Sequence, residues 1–348
     1  MQFTLNEEQS ILKDSVGKMI ADLAARGGEA QARRTAMAEF GLTQLGLDPE
    51  EGLEIEGALV AEAIGAALLP DPYAFAQLGA ARVLAGLPGQ EALVEAIGEG
   101  TALVLPALFE PGHRYALTPA RTTLANGTLT GAKSVVLGAQ EASHFLVSAL
   151  DAGETVLALV PAADATLRPF PGLDGRDGAD LTFDAVTSAE IVARGAVAEA
   201  ATAELYDRVN AALVAEAVGA MGALMEMTTE FLRTRHQFGK PIGVFQVLRH
   251  RLVDMNTSYQ LARSMATAAA LALRDLPPQG RASVISAARL QAAESGRHIG
   301  EEAVQLHGAM GMTAEYPAGN YLKRLMALAA VFGDADTHLD RLAAQEAA

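Results

Sequence analysis

The spacing of apolar residues divides the chain into three regions of different character. In residues 5–99 apolar side chains recur every three or four positions, which is the period of an amphipathic helix. Pro70-Asp71-Pro72 and Pro88-Gly89 interrupt this pattern, so we predict several helices here rather than one. The first such repeat consists of Leu5, Ile11, Leu12, Val16, Met19 and Ile20.

Residues 101–191 lose the helical spacing and contain short runs of the residue types that favour strands. Asn126-Gly127 stands between two alternating runs, which predicts a tight β-hairpin at this point. The predicted strand runs are residues 101–108, 121–137, 144–150, 155–162 and 180–186.

Helical spacing returns after residue 197. We predict long helices at residues 201–235, 246–275 and 281–307, with Pro277-Pro278-Gln279-Gly280 separating the last two. The pattern therefore indicates a mostly α, α+β protein. Its predicted domains are an N-terminal helical domain at 1–100, a middle β domain at 101–195 and a C-terminal helical bundle at 196–348.

Composition narrows the possible functions. The chain has 348 residues and a formal net charge of -16, from 26 Lys and Arg against 42 Asp and Glu. This acidity argues against nucleic acid and anionic membranes as partners. The absence of cysteine excludes disulfides, thiolate nucleophiles and Cys-ligated metals. The N-terminus lacks the features of a signal peptide, and no apolar stretch reaches the ~20 residues that cross a bilayer, so we expect a cytoplasmic protein.

Histidine spacing gives no indication of a metal site. The seven histidines show no ligand pattern, and His236 and His250 are expected to stand alone on helical surfaces. We therefore expect no bound metal.

The first segment of unusual specificity runs from Arg233 through Arg235-His236-Gln237-Phe238-Gly239-Lys240-Pro241-Ile242 to Phe245-Gln246. Cations complement the negative end of a helix dipole, glycine ends a helix and proline stiffens the turn that follows. Geometry alone predicts a corner between two helices here and nothing more.

The second segment is Gln305-Leu306-His307-Gly308-Ala309-Met310-Gly311-Met312, followed by Glu315-Tyr316-Pro317 and Lys323-Arg324. Its glycines allow a ligand or another chain to approach the backbone closely. The pattern is not G-x-G-x-x-G, and no βαβ unit surrounds it, which argues against a Rossmann nucleotide site.

Together the two segments resemble the C-terminal signatures of acyl-CoA dehydrogenases, R-x-Q-F-G-x-P-I with F-Q, and Q-x-x-G-G-x-G. The resemblance extends in order along nearly the whole chain. The further matches are Phe3 with Leu5 and Glu7-Glu8-Gln9, Leu42 with Leu45-Gly46-Leu47, Glu50-Glu51-Gly52, Ala61-Glu62-Ala63-Ile64-Gly65 and Gly131-Ala132-Lys133.

The resemblance implies the fold of that family, with a middle β-barrel or sandwich and a C-terminal four-helix bundle. It also implies FAD bound between subunits of a tetramer, where one chain holds the flavin ring and its neighbour the nucleotide end. On the neighbour side Arg235 would pair with the pyrophosphate. The remaining contacts implied by the resemblance are Gln237 and Phe238 at the adenosine, Phe245 and Gln246 nearby, and Gln305 and Gly308 against the cofactor.

The ring-holding side departs from the family pattern. Where the family has T-E-P-x-x-G-S-D, this chain has residues 109–115, in which only Glu110-Pro111 is kept. The family's W-I-T is replaced by Val135-Val136-Leu137, which removes an aromatic platform and a hydroxyl. Glu110 itself is expected to be structural.

The family's catalytic base is also missing. Removal of the α-proton of an acyl thioester needs a carboxylate within hydrogen-bond reach. The two positions that carry this glutamate among family members correspond here to Phe332 and Val209. Glu216 is a weak substitute, because it lies about 10 Å along the helix from Val209, and we expect it to pack in the bundle paired with an arginine. Asp334 and Asp336 are short and expected to be solvated.

This pattern of retention and loss resembles the small subunits of bacterial α2β2 acyl-CoA dehydrogenases, including the pimeloyl-CoA dehydrogenase small-subunit type. The leading hypothesis is that the chain completes the FAD site of a catalytic partner subunit. The partner would supply the base and the acyl-CoA pocket, and electrons would pass to an electron-transferring flavoprotein. One alternative is a self-sufficient homo-oligomeric dehydrogenase with Glu216 as base, and another is a scaffold or acyl-CoA-binding protein without catalysis.

Overall fold

A computed structural model describes residues 4–48, 51–313 and 316–346. Phe3, Glu50 and Glu315, which belong to three of the sequence patterns above, lie outside the described residues.

The chain divides into two compact units, each assembled from separate stretches of sequence. Unit 1 contains residues 1–26, 54–69 and 210–348, and unit 2 contains residues 27–53 and 70–209. These units do not follow the predicted domain boundaries at 100 and 195, which therefore stay a prediction.

The first part of the chain is helical, as the three- and four-residue spacing predicts. Proline and glycine punctuate it as expected, and Pro72 directly precedes the fourth helix. The helices here are α1 (Glu7–Arg26), α2 (Ala30–Glu39), α3 (Glu54–Ala66), α4 (Tyr73–Phe75), α5 (Arg82–Ala85) and α6 (Glu91–Gly98), with a π-helical segment Ala76–Ala81 between α4 and α5.

The β region of unit 2 forms one eight-stranded mixed sheet in the order β6-β7-β3-β2-β4-β5-β8, with β1 paired to β4. The pairs β1–β4 and β2–β4 are parallel and the others are antiparallel. The strands are β1 (Val104–Ala107), β2 (Thr123–Ala125), β3 (Thr128–Leu137), β4 (His144–Asp151), β5 (Glu154–Pro161), β6 (Thr166–Phe170), β7 (Gly178–Val186) and β8 (Glu190–Arg194).

Turn chemistry explains the predicted hairpin between β2 and β3. Asn126 and Gly127 have φ values of 51° and 75°, and two successive positive φ values are the requirement of a type I′ turn. The prediction at these residues is therefore confirmed.

The strands β6 and β8 were not predicted from the sequence. Strand β6 contains Pro169 and lies at the edge of the sheet. A strand tolerates proline at an edge because the missing N–H is not needed there.

The C-terminal region is helical again, and its long helices confirm the prediction closely. They are α7 (Gly195–Thr234), α8 (Gln246–Asp275), α9 (Pro278–His307), α10 (Ala318–Ala330) and α11 (Ala335–Glu346), with the short strands β9 (His236–Gln237) and β10 (Lys240–Pro241) after α7. Among the described helices, α7 alone is long and apolar enough to cross a membrane by composition, and 78% of its most apolar stretch is buried in the fold. Burial of this kind is typical of a core helix.

Two glycines bring the helices of unit 1 into backbone contact. A Cβ at Gly65 on α3 would overlap the carbonyl oxygen of Glu216 on α7, and a Cβ at Gly219 would overlap the carbonyl oxygen of Glu62. Only glycine permits so close a crossing, which fixes the depth at which α3 meets α7. The observed combination of helices with one mixed sheet confirms the α+β fold class.

Candidate cofactor site

The segment after α7 is a small exposed hairpin. The N–H of Arg235 donates to the Phe231 carbonyl at 2.9 Å, and the N–H of Ile242 donates to the Arg235 carbonyl at 2.8 Å. Phe238 and Gly239 at the tip both have positive φ, 54° and 76°. Glycine adopts this conformation freely, whereas in phenylalanine it is a local strain of the kind that clusters at functional sites.

The side chains of this hairpin point away from the fold. Phe238 is 89% exposed, and Arg235 and Gln237 are also exposed. Within the described residues the Arg235 guanidinium makes no hydrogen bond or ion pair. The Phe238 ring stands edge-on to the Phe245 ring at 6.0 Å, and the Lys240 ammonium lies 4.7 Å from the Phe245 centroid. A large exposed aromatic beside unpartnered polar groups is a surface suited to a ligand or another chain.

The second segment begins where α9 ends. The N–H of Gly308 donates to the Gln305 carbonyl, and Gly308 has a φ of 62°. A Cβ at Gly308 would meet no atom within 4 Å, and Gln305 is exposed. The backbone at this helix end is therefore open to close approach from outside.

The two segments meet through an aromatic contact that the sequence reading did not single out. Phe231, in the last turns of α7, lies with its ring centroid 4.5 Å from that of His307, at the end of α9. Both belong to unit 1, so the Arg235 hairpin and the Gln305–Gly308 turn start from neighbouring points. The signal available in sequence was an apolar ring four residues before Arg235 together with a histidine inside the Gln-Gly motif.

This arrangement fits the nucleotide part of FAD. A pyrophosphate needs a cation, and Arg235 is exposed and unpartnered among the described residues. An adenine ring needs apolar faces and amide groups. The exposed residue Phe238 offers an apolar face, and the exposed residues Gln237 and Gln305 offer amide groups. Phe245 is half-buried beneath Phe238, and Gln246 is exposed at the start of α8.

The strand positions at which the resemblance places the flavin ring do not fit that group. Val135 has a φ of 58°, is 48% exposed, and lies at an irregularity where the pairing of β3 with β7 shifts between Lys133 and Val136. The N–H of Val135 donates to the Asp180 carboxylate at 3.2 Å. The run Val135-Val136-Leu137 offers neither an aromatic ring nor a hydroxyl to a flavin.

Glu110 and Lys133 form a buried ion pair, which confirms the structural role expected for Glu110. The Lys133 Nζ lies 3.2 Å from Glu110 Oε1 and also donates to the Leu108 carbonyl at 2.9 Å. The Glu110 carboxylate accepts three backbone N–H groups, from residues 120–122. Burial alone would raise the pKa of Glu110, but the Thr122 N–H and the Lys133 charge outweigh it and lower the pKa to about 2. Burial lowers the pKa of Lys133 to about 8.

Neither position of the usual base carries a proton acceptor. Phe332 is 4% exposed, has a φ of 58°, and is held by Arg289, whose Nη2 donates to the carbonyls of Val331 at 2.8 Å and Gly333 at 3.0 Å. Val209 is completely buried in unit 2, where a Cβ at Gly79 would come 2.5 Å from its Cγ2.

Glu216 occupies the place expected of a packing residue. Its carboxylate is 2% exposed and forms an ion pair of 2.8 Å with Arg324 of α10. The expectation of a bundle glutamate paired with an arginine is confirmed. A carboxylate held in this way has its lone pairs directed at a guanidinium rather than at a substrate.

Two further expectations need correction. Asp334 is half-buried rather than solvated, because it caps α11: its Oδ1 accepts the N–H of Thr337 at 3.0 Å and the Thr337 hydroxyl at 2.6 Å. Asp336 is exposed as expected.

His236 lies in the short strand β9 rather than on a helix, because Thr234 ends α7 before it. Among the described residues no group of three His, Asp or Glu is arranged to hold a metal.

Comparison with known proteins identifies clear relatives. A family model described as "Acyl-CoA dehydrogenase, C-terminal domain" matches residues 202–346. The chain is 28% identical over 345 residues to acyl-CoA dehydrogenase IpdE2 of Mycolicibacterium smegmatis, covering 98% of this chain and 99% of that one. It is 29% identical over 339 residues to IpdE2 of Mycobacterium tuberculosis, covering 91% of each.

Solved structures share the whole fold. A variant of the Tcur3481-Tcur3483 steroid ACAD superposes with a TM-score of 0.88 at 25% identity, covering 99% of both chains. A chain of the ChsE4-ChsE5 complex from Mycobacterium tuberculosis gives a TM-score of 0.87 at 23% identity, covering 100% of this chain and 99% of that chain, and this likeness concerns the fold alone.

Proposed function

Because this chain belongs to the acyl-CoA dehydrogenase family, whose members are FAD-dependent oxidoreductases, we propose that it is the non-catalytic subunit of a heteromeric member. In this role it completes the FAD site of a partner chain and carries no base of its own. One observation carries the proposal: most of the residues that would reach a neighbour's cofactor are exposed, whereas both base positions hold buried apolar side chains.

The reaction proposed for the complex is the α,β-dehydrogenation of an acyl-CoA thioester to a trans-2-enoyl-CoA, the oxidative step of fatty-acid-type β-oxidation. Bound FAD supplies the acceptor for the β-hydride. The α-proton requires a carboxylate at the substrate, and the buried rings and methyl groups of Phe332 and Val209 cannot take it. The partner subunit therefore has to supply the base and the acyl pocket.

Residues of this chain act on the nucleotide end of the cofactor. Arg235 would donate charge-assisted hydrogen bonds to the pyrophosphate, since a guanidinium presents two parallel N–H groups. Phe238 and Gln237 would hold the adenosine, with Phe245 and Gln246 nearby. Gln305 and the open backbone of Gly308 would hold the same dinucleotide from the end of α9.

The relatives support an assembly of two different chains. The steroid ACAD at 25% identity is named for two chains, Tcur3481 and Tcur3483. Its name also makes steroid-derived acyl-CoA the first substrate class to test for the present complex. An electron-transferring flavoprotein is the electron acceptor that we propose from the family.

The two alternatives have less support. A self-sufficient enzyme with Glu216 as base would have to break the buried ion pair with Arg324, and that step is costly. A scaffold without cofactor gives no reason for an exposed and unpartnered Arg235 next to an 89% exposed Phe238. A subunit that completes the FAD site of a partner chain accounts for both features.

The first experiment is to purify the chain alone and together with any acyl-CoA dehydrogenase chain that a neighbouring gene encodes, and to record the visible spectrum and FAD content of each. We expect the lone chain to be colourless and the complex to be yellow with one FAD for every two chains. A yellow lone chain with one FAD per chain would contradict the proposal, and Glu216→Gln would then be the next variant to assay.

A further inference from the structure

Phe231, His307 and Tyr316 form an aromatic cluster between the two candidate cofactor segments. The ring centroids of Phe231 and His307 are 4.5 Å apart, those of His307 and Tyr316 are 4.8 Å apart, and those of Phe231 and Tyr316 are 6.2 Å apart. His307 is 4% exposed, and its ring is close to each of the other two. All three residues belong to unit 1.

Hydrogen bonds fix the orientation of the His307 ring. Its Nδ1 lies 2.7 Å from the Ala303 carbonyl, which can only accept, so the ring proton is on Nδ1. In the neutral ring Nε2 is then the acceptor, and it lies 3.0 Å from the Tyr316 hydroxyl, which donates its proton. Burial lowers the pKa of His307 and raises the pKa of Tyr316. The ring is thus held neutral, with one direction for each hydrogen bond.

The cluster adjoins both segments. The Phe231 carbonyl accepts the N–H of Arg235, so Phe231 closes the last turn before the exposed hairpin. His307 is followed at once by Gly308, and a Cβ at Gly311 would come 3.0 Å from the Cβ of His307. The turn Gly308–Met312 is therefore folded back against the His307 side of α9. Tyr316 holds the far end of that turn through its hydroxyl.

We infer that Tyr316 and His307 are positioning residues for the flavin nucleotide. Through the adjacent ring of Phe231 they set the separation between Arg235 and the Gln305–Gly308 backbone, so that both segments reach one dinucleotide together. This inference rests on the proposed function, since it specifies how the two candidate cofactor segments are held in position for the nucleotide. A site that is preorganised in this way binds its ligand without the cost of ordering two mobile segments.

Tyr321 provides a matched control for Tyr316. Its hydroxyl donates to the Ala66 carbonyl at 2.7 Å within unit 1, and it is 8% exposed. Tyr321→Phe and Tyr316→Phe thus remove the same atom and one hydrogen bond each. Only Tyr316 joins the cofactor segments, so only its replacement should change cofactor affinity.

The test measures the FAD dissociation constant by fluorescence titration of the complex stripped of cofactor, and the thermal midpoint without FAD. We expect Tyr316→Phe to weaken FAD binding about 3- to 10-fold, which is the range of one lost hydrogen bond. Tyr321→Phe should leave the dissociation constant unchanged even where the two variants lose thermal stability equally. His307→Phe, which keeps an aromatic ring beside Phe231 and loses both hydrogen bonds, should weaken FAD binding at least as much as Tyr316→Phe.

The outcomes separate this inference from the proposed function. If both tyrosine variants bind FAD as tightly as the wild-type complex does, the positioning role is overturned and the proposed function stands. Equal weakening by Tyr321→Phe also overturns it, because the effect would then be general destabilisation. Failure of the wild-type complex to bind FAD overturns the proposed function and the inference together.

Discussion

Arg324 Nη1 lies 2.8 Å from Glu216 Oε1, and the two side chains are 1% and 2% exposed. The same guanidinium donates to the carbonyls of Leu68 and Leu69, just beyond the C-terminal end of α3, at 3.3 Å and 3.4 Å. A cation suits the carbonyls at a helix C-terminus. One arginine therefore ties together α3, α7 and α10 of unit 1, and Glu216 is the counter-charge that allows its burial.

Glu216→Gln should destabilise the fold without removing a catalytic group. The amide keeps the shape but leaves the buried Arg324 charge uncompensated, at a cost of about 3 kcal/mol in unfolding free energy. Urea denaturation measures this loss, and the turnover of the purified complex should stay within a factor of a few of wild type. A normally stable variant without turnover would instead indicate that Glu216 is the base.

Glu110→Gln should destabilise unit 2 more than Lys133→Met. The glutamine would turn an NH₂ group toward donors at residues 120–122 and leave Lys133 without its counter-charge, which costs about 3 kcal/mol or more. Lys133→Met leaves the Glu110 carboxylate with its three backbone N–H groups, so we expect a loss of about 1–2 kcal/mol. Unfolding of both variants in urea at pH 7 gives the comparison, and the reverse order would contradict this account of the pair.

Stability should fall as the pH drops below about 6.5, partly through His338. Burial, assisted by Arg289 and Arg341, lowers the pKa of His338 to about 3. Because the folded pKa lies below the unfolded value of about 6.5, the unfolded state binds the proton first, and stability is lost as pH falls from 6.5 toward 3, by up to about 1.4 kcal/mol per pH unit.

The variant His338→Gln keeps an acceptor for Arg289, whose Nε lies 3.4 Å from His338 Nε2, but cannot take up a proton. Its unfolding free energy should therefore decline less steeply between pH 6.5 and pH 4 than that of wild type. His250→Gln, at an exposed position on α8, is the control and should keep the wild-type slope.

Gly219→Ala and Gly17→Ala should have opposite effects. A methyl group at Gly219 would overlap the Glu62 carbonyl and force α3 away from α7, which costs about 1–3 kcal/mol or more. At Gly17, inside α1, a Cβ would meet no atom within 4 Å, so alanine should stabilise the helix by roughly 0.5–1 kcal/mol. Thermal midpoints of the two variants measure both signs in one experiment.

Arg235→Ala should weaken FAD binding by the complex about tenfold or more, because a charge-assisted contact to the pyrophosphate would be lost. Arg233→Ala removes an equal charge from an exposed position of the last turn of α7 and serves as the control. The FAD dissociation constant of each complex is the measurement. Equal effects of the two substitutions would indicate a general electrostatic role rather than a specific contact.

The local patterns of the sequence were sufficient for most elements of the fold. The prediction of a helix over residues 246–275 agrees with α8, and the Asn126-Gly127 hairpin forms as expected, because helix period and turn chemistry depend on residues close together in the chain. The edge strand β6 was not predicted, because proline inside a short run argues against a strand. The division into two discontinuous units could not be derived locally, because each unit combines stretches far apart in sequence.

By itself, then, the sequence determined most of the helices and strands with their order, the two candidate cofactor segments, and the absence of a carboxylate at positions 209 and 332. Only the tertiary structure decided which groups meet. Glu216 and Arg324 are 108 residues apart, and their pairing depends on a helix crossing that glycines at 65 and 219 permit. The Phe231–His307–Tyr316 cluster likewise exists because the ends of α7 and α9 pack together. Residue type fixes what a group can donate or accept, whereas burial, which follows from packing, fixes the partner that it must find.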